Sequence, residues 1–363
     1  MPKPKRTRQP AIPAIPAETW RELYAMADAF GARRLWECMG DAELLGVDDP
    51  ATSQPMLGAV MGGLGEVFGI AIHHGPAGLR WVLELATSDN PAPDMEAFLS
   101  ISVLKVEFVP KRELMPEEKQ RVKDISYSPG GGRGARWPSF QSQRPGHLPW
   151  HMDADDARLL LHALPRLTAL GAAVRPLYES EDDLPSDGFA FWPPARALGE
   201  PLRMDEVEWR HVRMPEEQPP EPFAVDELTS ALLAKLPQNP AAVIELDAFG
   251  SMMPVSEGGE NGRPWSPKMA LAADAGSGAI VGMEMSKTLH DSSETLAGRA
   301  LVGSMKALGA RPGALHLKNR RTAQALGPFA EQLGIRLILR RELPAVEEAQ
   351  AAVASRFGFG MMP

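Results

Sequence analysis

The sequence predicts two folded parts, an α+β domain followed by an α/β domain with the element order β-β-β-α-β-α-β-α on a mixed sheet. Three observations carry this. The chain has 363 residues, more than one ordinary core holds and enough for two. Helix, then strands, then helix patterns follow one another as far as residue 175, whereas after Pro240 strand and helix patterns succeed one another more regularly. Between them, residues 176–237 are acidic and proline-rich, a linker composition in which one segment, Asp205 to Arg213, alternates like a strand. The expected division is a tail at 1–16, an α+β domain at 17–175, the linker at 176–237 and the α/β domain at 238–363.

Composition narrows the function classes. No apolar run approaches the roughly 20 residues that span a bilayer, and no apolar signal region follows the basic, proline-rich start Met1 to Pro10. A soluble cytoplasmic protein with a disordered, solvated tail is expected. One cysteine, Cys38, excludes an intrachain disulfide and a repeated Cys-x-x-Cys zinc site. Its setting between Trp36 and Met39 suits a buried small hydrophobe. The net charge of −9 is uneven, with 25 Lys and Arg against 35 Asp and Glu up to Pro237 and 13 against 12 from Gln238 on. Nucleic-acid binding would therefore need a segregated basic face.

In the first part, Trp20, Leu23, Tyr24, Ala27 and Phe30 recur at helical spacing. A second helix is expected over Gln54 to Leu64, then strands at Val67 to His73 and Leu79 to Leu85 joined as a hairpin, and a third strand at Ile101 to Val109. Helices are expected from Pro116 and from Asp153 to Leu170. The stretch 128–150 is dense in glycine, proline, arginine and tryptophan. Gly130, Gly131, Gly132 and Gly134 lack the Gly-Lys-Ser/Thr of a phosphate loop. Arg133, Arg136, Trp137, Phe140, Arg144 and Trp150 offer guanidinium planes and rings that stack on bases, the alternative being an aromatic-pinned loop packed on the sheet. His73 and His74, successive on a strand, point to opposite faces and do not pair as metal ligands. His162 reads as a packed or surface residue of its helix.

In the second part, strands are expected at Ala242 to Phe249, Lys268 to Asp274, Ala279 to Met285, Ala314 to Leu317 and Arg336 to Arg340. Helices are expected at Ser292 to Leu308, Thr322 to Leu333 and from Pro344. That order, with Leu246-Asp247 in the first strand and the turn from Asp274 to Gly282, resembles the catalytic core of integrases and transposases of the ribonuclease H-like superfamily. The resemblance implies a ribonuclease H-like fold and a two-metal site. In that site an Asp of the first strand, an Asp after the fourth and a Glu of a later helix hold divalent ions for phosphodiester cleavage, hard cations preferring oxygen ligands. Asp247 stands at the first position and Glu347 or Glu348 at the last. The middle one falls in His316-Leu317-Lys318-Asn319, where Lys318 would repel a divalent cation and pair with Asp247. Asp274 and Asp291, the other candidates, do not converge as naturally. The expected site is thus degenerate: Asp247, Lys318, Asn319 and Glu347, with no metal and no cofactor. Lys318, Arg320, Arg321, Arg340 and Arg341 form a cationic rim that would contact phosphates, unless Glu331, Glu342 and Glu347 pair with it.

Over most of its length the chain also resembles a poorly characterised bacterial two-domain family, both halves of which are domains of unknown function. The resemblance rests on the opening helix Trp20 to Tyr24, on Trp137 to Phe140 and on Pro145 to Trp150, and it implies architecture without activity. Gly-x-Ser-x-Gly, His-Glu-x-x-His and dinucleotide fingerprints are absent. The expected function is that of a non-enzymatic cytoplasmic protein that binds nucleic acid or a protein partner, not a membrane. The alternatives are a divergent metal-dependent nuclease or transposase relative using Asp247, Glu347 and a third ligand, and a pure protein-interaction module.

Overall fold

A computed structural model describes residues 15–40, 42–87, 95–130, 132–180, 188–250, 255 and 262–356. Most of the basic tail expected at 1–16 lies outside them. The chain is mixed α/β and divides into two compact units, residues 1–216 with 260–264, and residues 217–259 with 265–363.

The first unit is built on a seven-stranded sheet in the order β5-β4-β3-β2-β1-β6-β7. Its strands are β1 (Leu44–Asp48), β2 (Pro55–Met61), β3 (Gly69–His74), β4 (Ser102–Pro110), β5 (Arg136–Gln143), β6 (Phe189–Phe191) and β7 (Glu208–Arg210). All neighbours pair antiparallel except β1 and β6, which are parallel. One face packs on α1 (Ala17–Arg33) and α5 (Ala154–Glu179), joining Leu23, Phe30, Ile70, Ile72, Phe140, Leu160 and Leu164 in one core. The other face carries α2 (Gly75–Thr87) over Leu44, Leu57 and Phe191, with α3 (Met95–Ser100) beside it. The helix α4 (Pro116–Asp124) places Val122 in the first core. α5 starts at a capping box: Asp153 accepts from the Asp155 and Asp156 amides, and Asp156 accepts from the Asp153 amide.

Several expectations are corrected here. Residues 54–64 hold β2, not a helix. Its apolar run is buried on both faces, and such a run has no periodicity that separates strand from helix. The strand expected at Leu79 to Leu85 is part of α2, which buries Leu79, Val82 and Leu83 on one helical stripe and starts with Pro76 in its first turn. The hairpin expected there does not exist. The loop at 128–150 contains β5, paired with β4 over its full length. Residues 176–237, expected as a linker with one strand at Asp205 to Arg213, hold β7 within that strand, and also the end of α5, strand β6 of the first sheet, and α6 (Glu227–Ala234). β1 was not expected.

The second unit has a five-stranded sheet in the order β10-β9-β8-β11-β12. The strands are β8 (Gln238–Gly250), β9 (Lys268–Asp274), β10 (Ile280–Met285), β11 (Arg311–Leu317) and β12 (Arg336–Leu339). β9 runs antiparallel to both β8 and β10, while β8, β11 and β12 are parallel. Helices α7 (Ser293–Leu308) and α8 (Arg320–Gln332) cover one face around Ile244, Leu246, Leu301, Leu315 and Phe329. α9 (Pro344–Arg356) covers the other through Leu271, Ala273 and Val346. The succession from β8 to α9 is the expected β-β-β-α-β-α-β-α. Ser292 caps α7 through the Thr295 amide, and Gly309, at φ 61°, ends it.

Candidate functional site

Alternation along β8 sends Ile244, Leu246 and Ala248 into the α7/α8 core and leaves Glu245, Asp247 and Phe249 on the α9 face. Cross-strand register then lays that face out in rows. Phe249 is level with Met269 and Met285, Asp247 with Leu271 and Met283, and Glu245 with Ala273 on one side and His316 on the other. Lys318 follows the last paired position of β11, Leu317 opposite Leu246, and so stands at the strand end alongside Asp247. α9 descends onto these rows because Glu245, a buried carboxylate, accepts from the first amides of the helix, Ala345 at 2.7 Å and Val346 at 3.2 Å.

The Lys318 ammonium is paired with Glu347 of α9, and that bond holds the Glu347 carboxyl below the usual range. The expected Lys318–Asp247 pairing falls at the same strand end, where the Lys318 ammonium meets Glu347 of the helix. Asp247 accepts from the Ala248 amide at 3.0 Å. Asn319 is a helix cap, its side chain accepting from the Arg321 and Thr322 amides. Asp274 accepts from the Ser277 amide and hydroxyl in the β9–β10 turn, and Asp291 from the Lys287 and Thr288 amides ahead of α7. Neither joins Asp247. Glu348 points towards the β9–β10 turn at Gly278, so Glu347 is the glutamate of this end. Among the described residues no three His, Cys, Asp or Glu side chains are grouped to hold a metal ion.

The cations divide into used and open ones. Arg321 is committed to Glu294 at 2.6 Å, to Glu217 at 3.1 Å and to the Gln218 carbonyl at 2.6 Å. Lys318 is committed to Glu347, while Arg320, Arg340 and Arg341 are exposed. His316 sits beside Arg340, and its pKa is lowered by burial and by that guanidinium, with Glu245 opposing. Sequence reasoning did not single out Glu245, although its position two residues before Asp247 on an alternating strand was the available signal. A cleft of about 750 Å³ lies elsewhere on this unit, along α7 between Glu284 and residues 220–226. Asp247, Lys318 and Glu347 do not line it.

In the first unit several of the base-stacking candidates have partners within the fold. Trp137 is buried under Lys111 with its ring edge-on to Tyr127, and Phe140 packs against Trp20 and Tyr24. Arg136 donates to the Phe108 carbonyl at 3.1 Å and lies over Phe68. Arg144 binds Asp153 and Asp156, and Trp150 closes back on Ser142. The side chain of Arg133 is outside the described residues. Cys38 is half-buried, donates to the Leu35 carbonyl at 3.3 Å, and has its thiol pKa raised by burial. His74 and His162 have lowered pKa values, desolvation first.

Residues 20–185 match a family model described as a domain of unknown function (DUF7309), and residues 229–354 match a second one (DUF6930). No curated protein matches the chain. Among the described residues no helix is long and apolar enough to cross a membrane.

Proposed function

From a chain of two such uncharacterised domains, we propose a non-catalytic cytoplasmic binding protein whose C-terminal unit is a ribonuclease H-like core with a disabled metal site and a nucleic-acid-binding rim. The observation that carries this reading is the Lys318–Glu347 ion pair at the end of β11, alongside Asp247. On this reading the Lys318 ammonium takes the place of the third carboxylate that a divalent ion would need, and it pairs with Glu347, one of the two carboxylates that remain. The element order from β8 to α9, closed into one mixed sheet with β8 and β11 side by side, supports the fold assignment. Arg320, Arg340 and Arg341 are open to phosphates.

The test is fluorescence anisotropy with short single- and double-stranded DNA and RNA across a salt series, beside a cleavage assay in Mg²⁺ and Mn²⁺. Binding that weakens with salt is expected, and replacing Arg320, Arg340 and Arg341 together by Ala should lower its log–log salt slope by about one per lost phosphate contact. No cleavage is expected. Cutting that Asp247→Asn abolishes would sink the non-catalytic reading and favour the divergent nuclease. A pure protein-interaction module is favoured by one observation, the exposed Ile280, Met283 and Met285 of the edge strand β10, and predicts no salt-sensitive nucleic-acid binding.

A further inference from the structure

The largest side chain that the first unit buries completely is an arginine. Arg263 belongs to the short segment 260–264 of that unit and is 1% exposed. A buried guanidinium is tolerated only where acceptors meet its planar donors. Here they do: Nη2 donates to Asp156 at 2.6 Å with Asp153 at 3.7 Å, and Nη1 donates to the Ser142 carbonyl at 3.2 Å and hydroxyl at 3.3 Å. The main chain is gripped as well, the Leu148 amide donating to the Pro264 carbonyl at 3.1 Å.

Every one of these acceptors and donors comes from residues 142–156, and each is positioned by something other than Arg263. Ser142 and Trp150 exchange backbone hydrogen bonds that close the loop after β5. Gly146, at φ 75°, takes a turn that L side chains resist and donates to the Leu99 carbonyl at 2.6 Å. Asp153 and Asp156 are locked by their capping box and by Arg144. Two carboxylates, with one arginine already beside them, leave the loop one positive charge short, and the gap has the shape of a guanidinium.

We propose that the β5–α5 loop and the start of α5 form a recognition socket for a short guanidinium-bearing segment, occupied in this chain by Gly262–Pro264. The socket explains the form of the proline-, glycine- and tryptophan-rich stretch.

The test uses the full-length chain. Arg263→Ala should lower the unfolding temperature of the first unit by about 5–10 °C, since it strands a buried carboxylate pair. N-acetyl-argininamide, in the tens of millimolar, should raise the temperature of that variant by about 2 °C or more by refilling the gap. It should leave wild type unmoved. N-acetyl-lysinamide, which cannot span both acceptors, should not rescue. An unchanged unfolding temperature for Arg263→Ala, or equal effects of the two amides, overturns the proposal. Should Arg263→Ala not fold, hydrogen exchange on the wild-type chain decides: a Leu148 amide protected as strongly as α5 supports the socket, and rapid exchange there overturns it.

Discussion

His73 is the residue whose chemistry is most at odds with its surroundings. It is buried on β3, its Nδ1 has no hydrogen-bond partner, and burial, with Lys105 and His74 nearby, pushes its pKa down from 6.5 to about 3. The imidazole is therefore neutral in the fold. In the window between about 3 and 6.5 the unfolded chain binds a proton that the folded chain refuses, so stability falls as pH is lowered through it, by about 1.4 kcal/mol per unit at the limit. Above 6.5 the contribution is complete. His73→Leu should flatten the dependence of the urea midpoint between pH 6 and pH 4, and an unchanged slope would place the acid sensitivity in other groups. Lys318 shows how a residue can be found from sequence while the choice among its partners stays open. Its place at the strand end followed from the order of elements, but its choice of Glu347 depended on α9 lying over the sheet, which Glu245 fixes and no local pattern announces.

At the scale of elements, the contact between β10 and α7 sets the edge of the second sheet. Gly282 lets the strand approach the helix so closely that a Cβ there would lie 2.3 Å from the Ala300 carbonyl oxygen, a backbone atom that cannot swing aside. Gly303 lies on the same helix with nothing within 4 Å of a Cβ. Gly282→Ala should destabilise by about 1–3 kcal/mol through the forced shift, while Gly303→Ala should stabilise by about 0.5–1 kcal/mol by restraining the unfolded chain. Urea unfolding of the two variants checks the sign of each, and a loss at Gly303 would contradict the open space seen there. Elements were legible in the sequence where one face is wet. α1, α5, α7 and α8 showed their stripes, and the second sheet showed its succession. β2, buried on both sides, β1, short and almost wholly buried, and β6, short and set in parallel against the distant β1, had no such signature. The candidate site was legible as a set of positions, and illegible as a network of bonds.

For the molecule as a whole, the two compact units each close their own core, around Leu164 in the first and Leu315 in the second, both fully buried. Leu164→Ala and Leu315→Ala should each cost about 2–5 kcal/mol. Calorimetry should show each lowering a different transition, and a single transition moved by both would mean that the units melt together. Sulfur chemistry follows from the same distribution of surface. Met283 and Met285, on the outer strand of the second sheet, are 59% and 55% exposed, while Met56 and Met305 are fully buried. Under mild peroxide the first pair should become sulfoxide well before the second, readable by peptide mass spectrometry. Each oxygen gained would turn an apolar strand border into a polar one, making β10 the part of this protein whose surface character a cell's oxidants can rewrite.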